Sequence, residues 1–379
     1  METPPPTEKA QLDGLTAIRY VAALWVVLYH RWSTATGAPP PALIAKGYLG
    51  VELFFILSGF ILCHVYFDQA RAGRFRYGAF LWARIARVYP LHLATLVGIA
   101  ALAGVASVLG FGHGEVLKWS SLPAQLLLLQ AWGLGMAGGW NHPSWSISAE
   151  WFAYLTFPAS LWLALGFRRR PLVAVLAAAI FAGALYVGFP HFSGIPLTEA
   201  TLAWGVVRIT PCFLSGAALY LLWRKLGERG LVIPVLARIA ALLTPPLLAI
   251  ASAPDPLIIA ALGLVILTLA GAPEQRPWRG GGQALVYLGE ISYAVYMCCI
   301  PVGLVYFRLA DRTGADGRAA WLTLPLFVLV LTGVAATAHH LVERPARRWL
   351  RQARWPGWRK TGPPPKSRTY APGSSPTTQ

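Results

Sequence analysis

Arg19 and His30 stand eleven residues apart in the first apolar stretch of the chain, LDGLTAIRYVAALWVVLYHRW. In a helix that spacing is about three turns, so both side chains lie on nearly one face, roughly 16 Å apart along the axis. That is about half the apolar thickness of a bilayer. Ionisable groups inside a membrane segment are costly and suggest function by default. The next apolar stretch, GYLGVELFFILSGFI, carries Glu52 and Ser58, and NHPSWSISAEWFAY carries Trp145 and Glu150. An imidazole near carboxylates can act as a general base, because the carboxylate orients the ring and supports its charged form. Arg84 and Arg87 in WARIARVYP share a helix face at i, i+3, and Glu343 and Arg347 follow near the end of the last apolar stretch. Clustered arginines hold a multiply phosphorylated ligand through bidentate hydrogen bonds.

Each of these residues also has a plain structural reading. Arginines at span ends anchor topology, and an intramembrane histidine can simply bond a neighbouring helix. Glu343 beside Arg344 and Arg347 suits an interfacial ion pair, and Ser58 with Gly59 suits close helix packing. What favours chemistry is agreement in depth. Trp145 reads as an interface marker, which puts His30, Glu52 and Glu150 together in the outer half of a bundle. Arg19, Arg84, Arg87, Glu343 and Arg347 then fall together at the cytoplasmic side.

The elements that must position these groups follow from composition. Of 379 residues, 56% are apolar and only 12% charged, whereas soluble domains carry about a quarter charged residues. This is an all-α polytopic integral membrane bundle. The net charge of +17 is spread in short clusters between apolar runs and in the tail. That pattern reads as contact with an anionic leaflet and not as a nucleic-acid surface. Cys63, Cys212, Cys298 and Cys299 all fall inside apolar segments without metal-ligand spacing. They read as reduced, buried thiols, with no metal site. The N-terminus lacks the basic region and cleavage site of a signal peptide, so the first span is expected to stay in the mature protein.

Ten segments reach spanning length, at roughly 15–32, 48–67, 85–109, 145–166, 171–189, 203–223, 234–252, 256–271, 285–307 and 320–342. The stretch 118–136, broken by Pro123 and Gln125 and followed by GLGMAGG, reads as an interfacial or re-entrant helix. With ten spans and both termini cytoplasmic, the inner loops hold Arg71, Arg74, Arg76, Arg168, Arg169, Arg170, Arg224, Lys225, Arg229, Arg276 and Arg279. An eleventh span would reverse that positive-inside asymmetry and put the Arg-rich tail outside. The expected organisation is a polar N-terminus at 1–14, a membrane domain at 15–349 and a basic, Pro/Ser-rich disordered tail at 350–379.

In this order and at these spans, the motifs resemble the membrane-bound acyltransferase-3 family, which contains polysaccharide O-acetyltransferases. Arg19 and His30 match its Arg-x10-His motif, and GVELFFILSGFIL is similar to its second-helix signature. WARIARVYP, WSISAEW, LGEISYAVYM and VERPARRW are similar to its RxxRxxP, W-S-x-x-x-E, L-G-x-I-S-Y and E-x-P-x-R elements. The likeness runs from Leu12 to about Trp349. It implies a multi-pass protein of the cytoplasmic membrane that takes acetyl-CoA as acyl donor and acylates a glycan hydroxyl, on lipid-linked glycans included. By position, His30 and Glu150 would be catalytic and Arg19, Arg84 and Arg87 would hold the acyl-CoA. Glu52, Ser58, Trp145, Glu343 and Arg347 would bind the acceptor or support the site. Cys299 stands where the family often has His. Two rivals differ in class. One is a transporter using His30 and the carboxylates as a proton relay, for which related halves are expected and none is visible. The other is a glycan-synthesis scaffold without activity.

Overall fold

The computed structural model describes residues 12–110, 117–135, 138–271, 281–312 and 320–352, and every regular element among them is helical. Residues 1–11, the expected disordered tail from 353 onward, and the basic residues Arg276 and Arg279 lie outside the described residues. Each of the ten apolar segments forms helix. The first gives α1 (Asp13–Thr36), followed by a single turn, α2 (Ala42–Ala45), and then α3 (Gly50–Arg71) and α4 (Tyr77–Val108). The fourth is split into α6 (Trp145–Leu155) and α7 (Phe157–Phe167) around Thr156, where Pro158 restarts the helix. Then come α8 (Pro171–Ser193), α9 (Gly205–Glu228), α10 (Val235–Ile250), α11 (Asp255–Ala270) and α12 (Gly281–Arg312). The last comprises α13 (Ala320–Ala338), a π turn (His339–Glu343) and α14 (Arg344–Gln352).

Among the described residues, six helices are long and apolar enough to cross a membrane, and α7, α10 and α11 are shorter apolar helices. The stretch 118–136 does not span. It holds a 3-10 turn and the six-residue helix α5 (Leu122–Leu127), which ends on Leu128 in the left-handed region at φ 57°. Ser148 Oγ holds that strained turn by donating to Leu128 O at 2.7 Å and accepting from Ala131 N at 3.1 Å. Trp132 Nε1 donates to Ser148 O, and Gln130 Nε2 to Ser144 O. The segment therefore folds over the first turns of α6.

Two close crossings set the centre of the bundle. A Cβ on Gly59 of α3 would run into the Phe213 carbonyl of α9, and one on Gly216 of α9 into the Ile56 carbonyl of α3. Gly289 of α12 faces the Thr16 carbonyl of α1 in the same way. Small residues that let backbones touch are the usual means of packing helices in lipid. Gly216→Val is expected to cost at least ~1–3 kcal/mol through overpacking and to lower the unfolding temperature of the detergent-solubilised protein. Gly98→Ala, where a methyl meets nothing within 4 Å, leaves that temperature unchanged or raised.

Candidate functional site

The antiparallel alternation gives the bundle an Arg19 end and a His30 end. A cavity of about 580 Å³ opens among α1, α3, α4, α6, α12 and the π turn with α14. Six arginines line it (Arg19, Arg84, Arg87, Arg344, Arg347 and Arg351), against two lining carboxylates, Glu150 and Glu290. Arg84 lies over the rings of Phe80 and Tyr154, at 6.0 and 5.9 Å, and Arg87 over Tyr293 at 5.7 Å. Tyr293 is seated by its hydroxyl, which donates to Val88 O at 2.6 Å. Flat aromatic faces hold a guanidinium without neutralising it.

Glu343, fully buried, pairs with Arg87, lies 2.9 Å from His339 Nδ1 and is 3.9 Å from Arg347. The expected cluster of Arg84, Arg87, Glu343 and Arg347 is therefore assembled, with Glu343 as its internal counter-charge. Glu343 itself is behind the cavity wall, whereas Arg347 lines it. Ser58 Oγ donates to Glu150 Oε1 at 2.8 Å. Both line the cavity, so Ser58 contributes a hydrogen bond in addition to small size.

The expectation that Glu150 shares a depth with Glu52 is not met. Ser58 is six residues along α3 from Glu52, about 9 Å toward the Arg19 end, and Glu150 sits with Ser58. Trp145 caused the misplacement. It is 4% exposed and does not mark an interface, because the folded-over residues 117–135 and 138–144 make α6 begin inside the bundle. Glu52 and Trp145 are likewise absent from the cavity wall. The Glu52 carboxylate takes Arg208 Nε at 2.6 Å and Nη2 at 3.1 Å, and the Arg208 guanidinium lies 4.8 Å from the centre of the Trp145 ring. Arg208 also donates to Ala200 O and Tyr48 O. Both of these positions thus serve a buried ion pair. Arg208 escaped the sequence reading, although an arginine in GVVRITPCF, four residues into α9, signals a charge in need of a partner.

His30 lies on the same continuous helix as Arg19, at the expected three turns, but does not line the cavity. Ala23, Val26 and Val27, all buried, fill the intervening face. His30 meets the Tyr29 ring edge-on at 5.0 Å and is within electrostatic range of Arg31 and His142. Desolvation by its surroundings pulls the His142 imidazole below its ordinary range. Toward His30 the cavity wall includes Val51, Phe54 and Tyr296. The Tyr296 hydroxyl accepts from Ser146 Oγ and donates to Pro143 O, both at 3.0 Å, which ties this part of the wall to the turn holding His142.

Among the described residues no group of three His, Cys, Asp or Glu side chains is placed to hold a metal ion. The four cysteines are free and buried.

Comparison with known proteins agrees with the motifs. The acyltransferase domain family matches residues 12–339. Acyltransferase MdmB of Streptomyces mycarofaciens is 31% identical, over 92% of this chain and 95% of its own length. Protein 2 in the picA locus of Rhizobium radiobacter is 44% identical over 27% of this chain and 49% of its own. Peptidoglycan O-acetyltransferase OatA of Listeria monocytogenes is 26% identical over 56% of this chain and 33% of its own. No solved structure matches the chain. With a matching domain over nearly all the helical region and a full-length relative of the same class, the chain is a membrane acyltransferase and belongs to the membrane-bound acyltransferase-3 family.

Proposed function

We propose that this protein transfers an acetyl or other short acyl group from acetyl-CoA to a hydroxyl of a cell-surface or exported glycan, lipid-linked glycans included. It would act in the cytoplasmic membrane, crossing it with ten helical segments and keeping both termini in the cytoplasm. The positive-inside bias supports that orientation, since Arg71, Arg168, Arg224 and Arg344 all belong to the Arg19 end.

One observation carries the reading: a cavity with six arginines and two carboxylates on its wall, reaching inward to the Ser58–Glu150 pair. Such a wall suits a polyanion with a long uncharged arm. The printed name of the Listeria relative, a peptidoglycan O-acetyltransferase, supports acetyl as the group and a glycan hydroxyl as its acceptor. In the reaction, His30 takes the proton of the acceptor hydroxyl and the oxygen attacks the thioester carbonyl carbon. The C–S bond breaks, and the imidazolium returns the proton to the CoA thiolate. A variant of this course passes the acetyl group through a transient acyl-imidazole on His30. Glu150, held by Ser58 on the cavity wall, supports the transferring group.

Binding decides the class. Purified protein is expected to bind acetyl-CoA, and Arg84→Ala/Arg87→Ala to weaken it about 10- to 100-fold through lost charged hydrogen bonds, read by calorimetry in nanodiscs. A proton-relay transporter would bind no CoA, and absence of binding by the unaltered protein would overturn the proposal.

A further inference from the structure

Arg344, Arg347 and Arg351 recur at i, i+3 and i+7 along α14 and present one face to the mouth of the cavity. Arg348 on the same helix does not line it, and Trp349 is 68% exposed on another face. The π turn before α14 takes up an extra residue and turns Glu343 inward while the arginines that follow meet the cavity. Trp82 Nε1 of α4 fixes the far end of α14 by donating to Leu350 O at 2.7 Å.

Among the described residues, Glu343 pairs with Arg87 and approaches Arg347, but no carboxylate pairs with Arg344 or Arg351. Like charges one turn apart repel, so this face is set for an anion. At the same mouth the Tyr287 and His340 rings lie nearly parallel, 17° apart with centroids at 5.9 Å, and their polar atoms are 3.1 Å apart. Both line the cavity. Planar rings beside an arginine face suit a phosphorylated nucleotide better than a bare phosphate.

We propose that Arg344, Arg347 and Arg351 hold the 3′-phosphate of the donor's adenosine, with the Tyr287–His340 pair as the surface on which its base stacks. This rests on the acyl-CoA reading above. It separates the mouth, which recognises the nucleotide, from Arg19, Arg84 and Arg87 deeper in the cavity, which meet the diphosphate and the arm.

The test measures binding of CoA and dephospho-CoA, which lacks only the 3′-phosphate, to the full-length protein in nanodiscs of neutral lipid. The unaltered protein is expected to prefer CoA by at least about 10-fold. Arg344→Gln/Arg351→Gln abolishes that preference while keeping dephospho-CoA affinity, and Arg348→Gln keeps it. Tyr287→Ala weakens both ligands equally, since both carry the base. Equal affinity of the unaltered protein for the two ligands, or an undiminished preference in the double variant, overturns the proposal while leaving the acyl-CoA reading in place. An unchanged affinity in Tyr287→Ala removes the nucleotide from this mouth and overturns it too. A preference that disappears when phosphatidylglycerol is added to the nanodiscs assigns the arginines to lipid headgroups instead. Failure of the unaltered protein to bind either ligand brings down the acyl-CoA reading itself.

Discussion

His30→Ala is expected to leave acetyl-CoA binding at its original strength and to lower acyl transfer to a glycan acceptor by about 100- to 10,000-fold, the usual contribution of a general base. The separation of the two effects follows from the geometry. The arginine-lined cavity reaches Val51, Phe54 and Tyr296 but not His30, so removing the imidazole leaves the cavity wall intact. Ala23, Val26 and Val27 remain to pack the helix face between. The groups facing His30 are Tyr29, His142 and Arg31, and Arg31 donates to Cys299 O. The measurement is a membrane assay with labelled acetyl-CoA, paired with calorimetry on the same preparation. Full transfer by His30→Ala would remove the residue from the mechanism. Lost binding would mean that the helix, not the imidazole, had been damaged.

Arg208→Ala is expected to destabilise the bundle by ~3–5 kcal/mol, the cost of leaving a buried carboxylate without its partner. Here the partner is Glu52, wholly buried, and the same guanidinium also serves two backbone carbonyls and the Trp145 ring. Because the desolvation of such a pair offsets much of its attraction, the double change Glu52→Leu/Arg208→Met is expected to recover part of the loss. Thermal unfolding in detergent reads both. If Glu52 instead met the acceptor, Glu52→Gln would unfold at the original temperature and lose only activity. That outcome would reverse the assignment of Glu52 to structure.

The sequence contained most of the framework. Every apolar segment from 15–32 to 320–342 became helix, because uninterrupted apolar runs have no other way to satisfy their backbone in lipid. The 118–136 stretch was recognisable as non-spanning from Pro123, Gln125 and the GLGMAGG that follows, together with the charge of the loops. Arg84, Arg87 and Arg347 were identifiable as a cluster, since each sits at the same end of an alternating bundle. Partner choice was not visible in the same way. Glu343 reads in sequence as a partner of Arg344 or Arg347, and Arg347 does come within 3.9 Å, but its closest ion pair is with Arg87, brought from 256 residues away by the packing of α4 against the π turn. Glu52 and Arg208 are 156 residues apart and meet only because α3 and α9 touch backbone to backbone at Gly59 and Gly216.

The sequence by itself determined the class of protein, the helical character of its apolar segments, the spacing of Arg19 and His30 on one face, and the acyltransferase motifs. These depend on local composition and on the fixed rise and turn of a helix. Only the tertiary structure decided that Glu150 works with Ser58 near the arginines, that Glu52 and Trp145 clasp Arg208, and that His30 does not line the cavity. Depth and partnership come from where residues 117–135 and 138–144 fold over α6 and where small residues let helices approach, and neither is a property of any one segment.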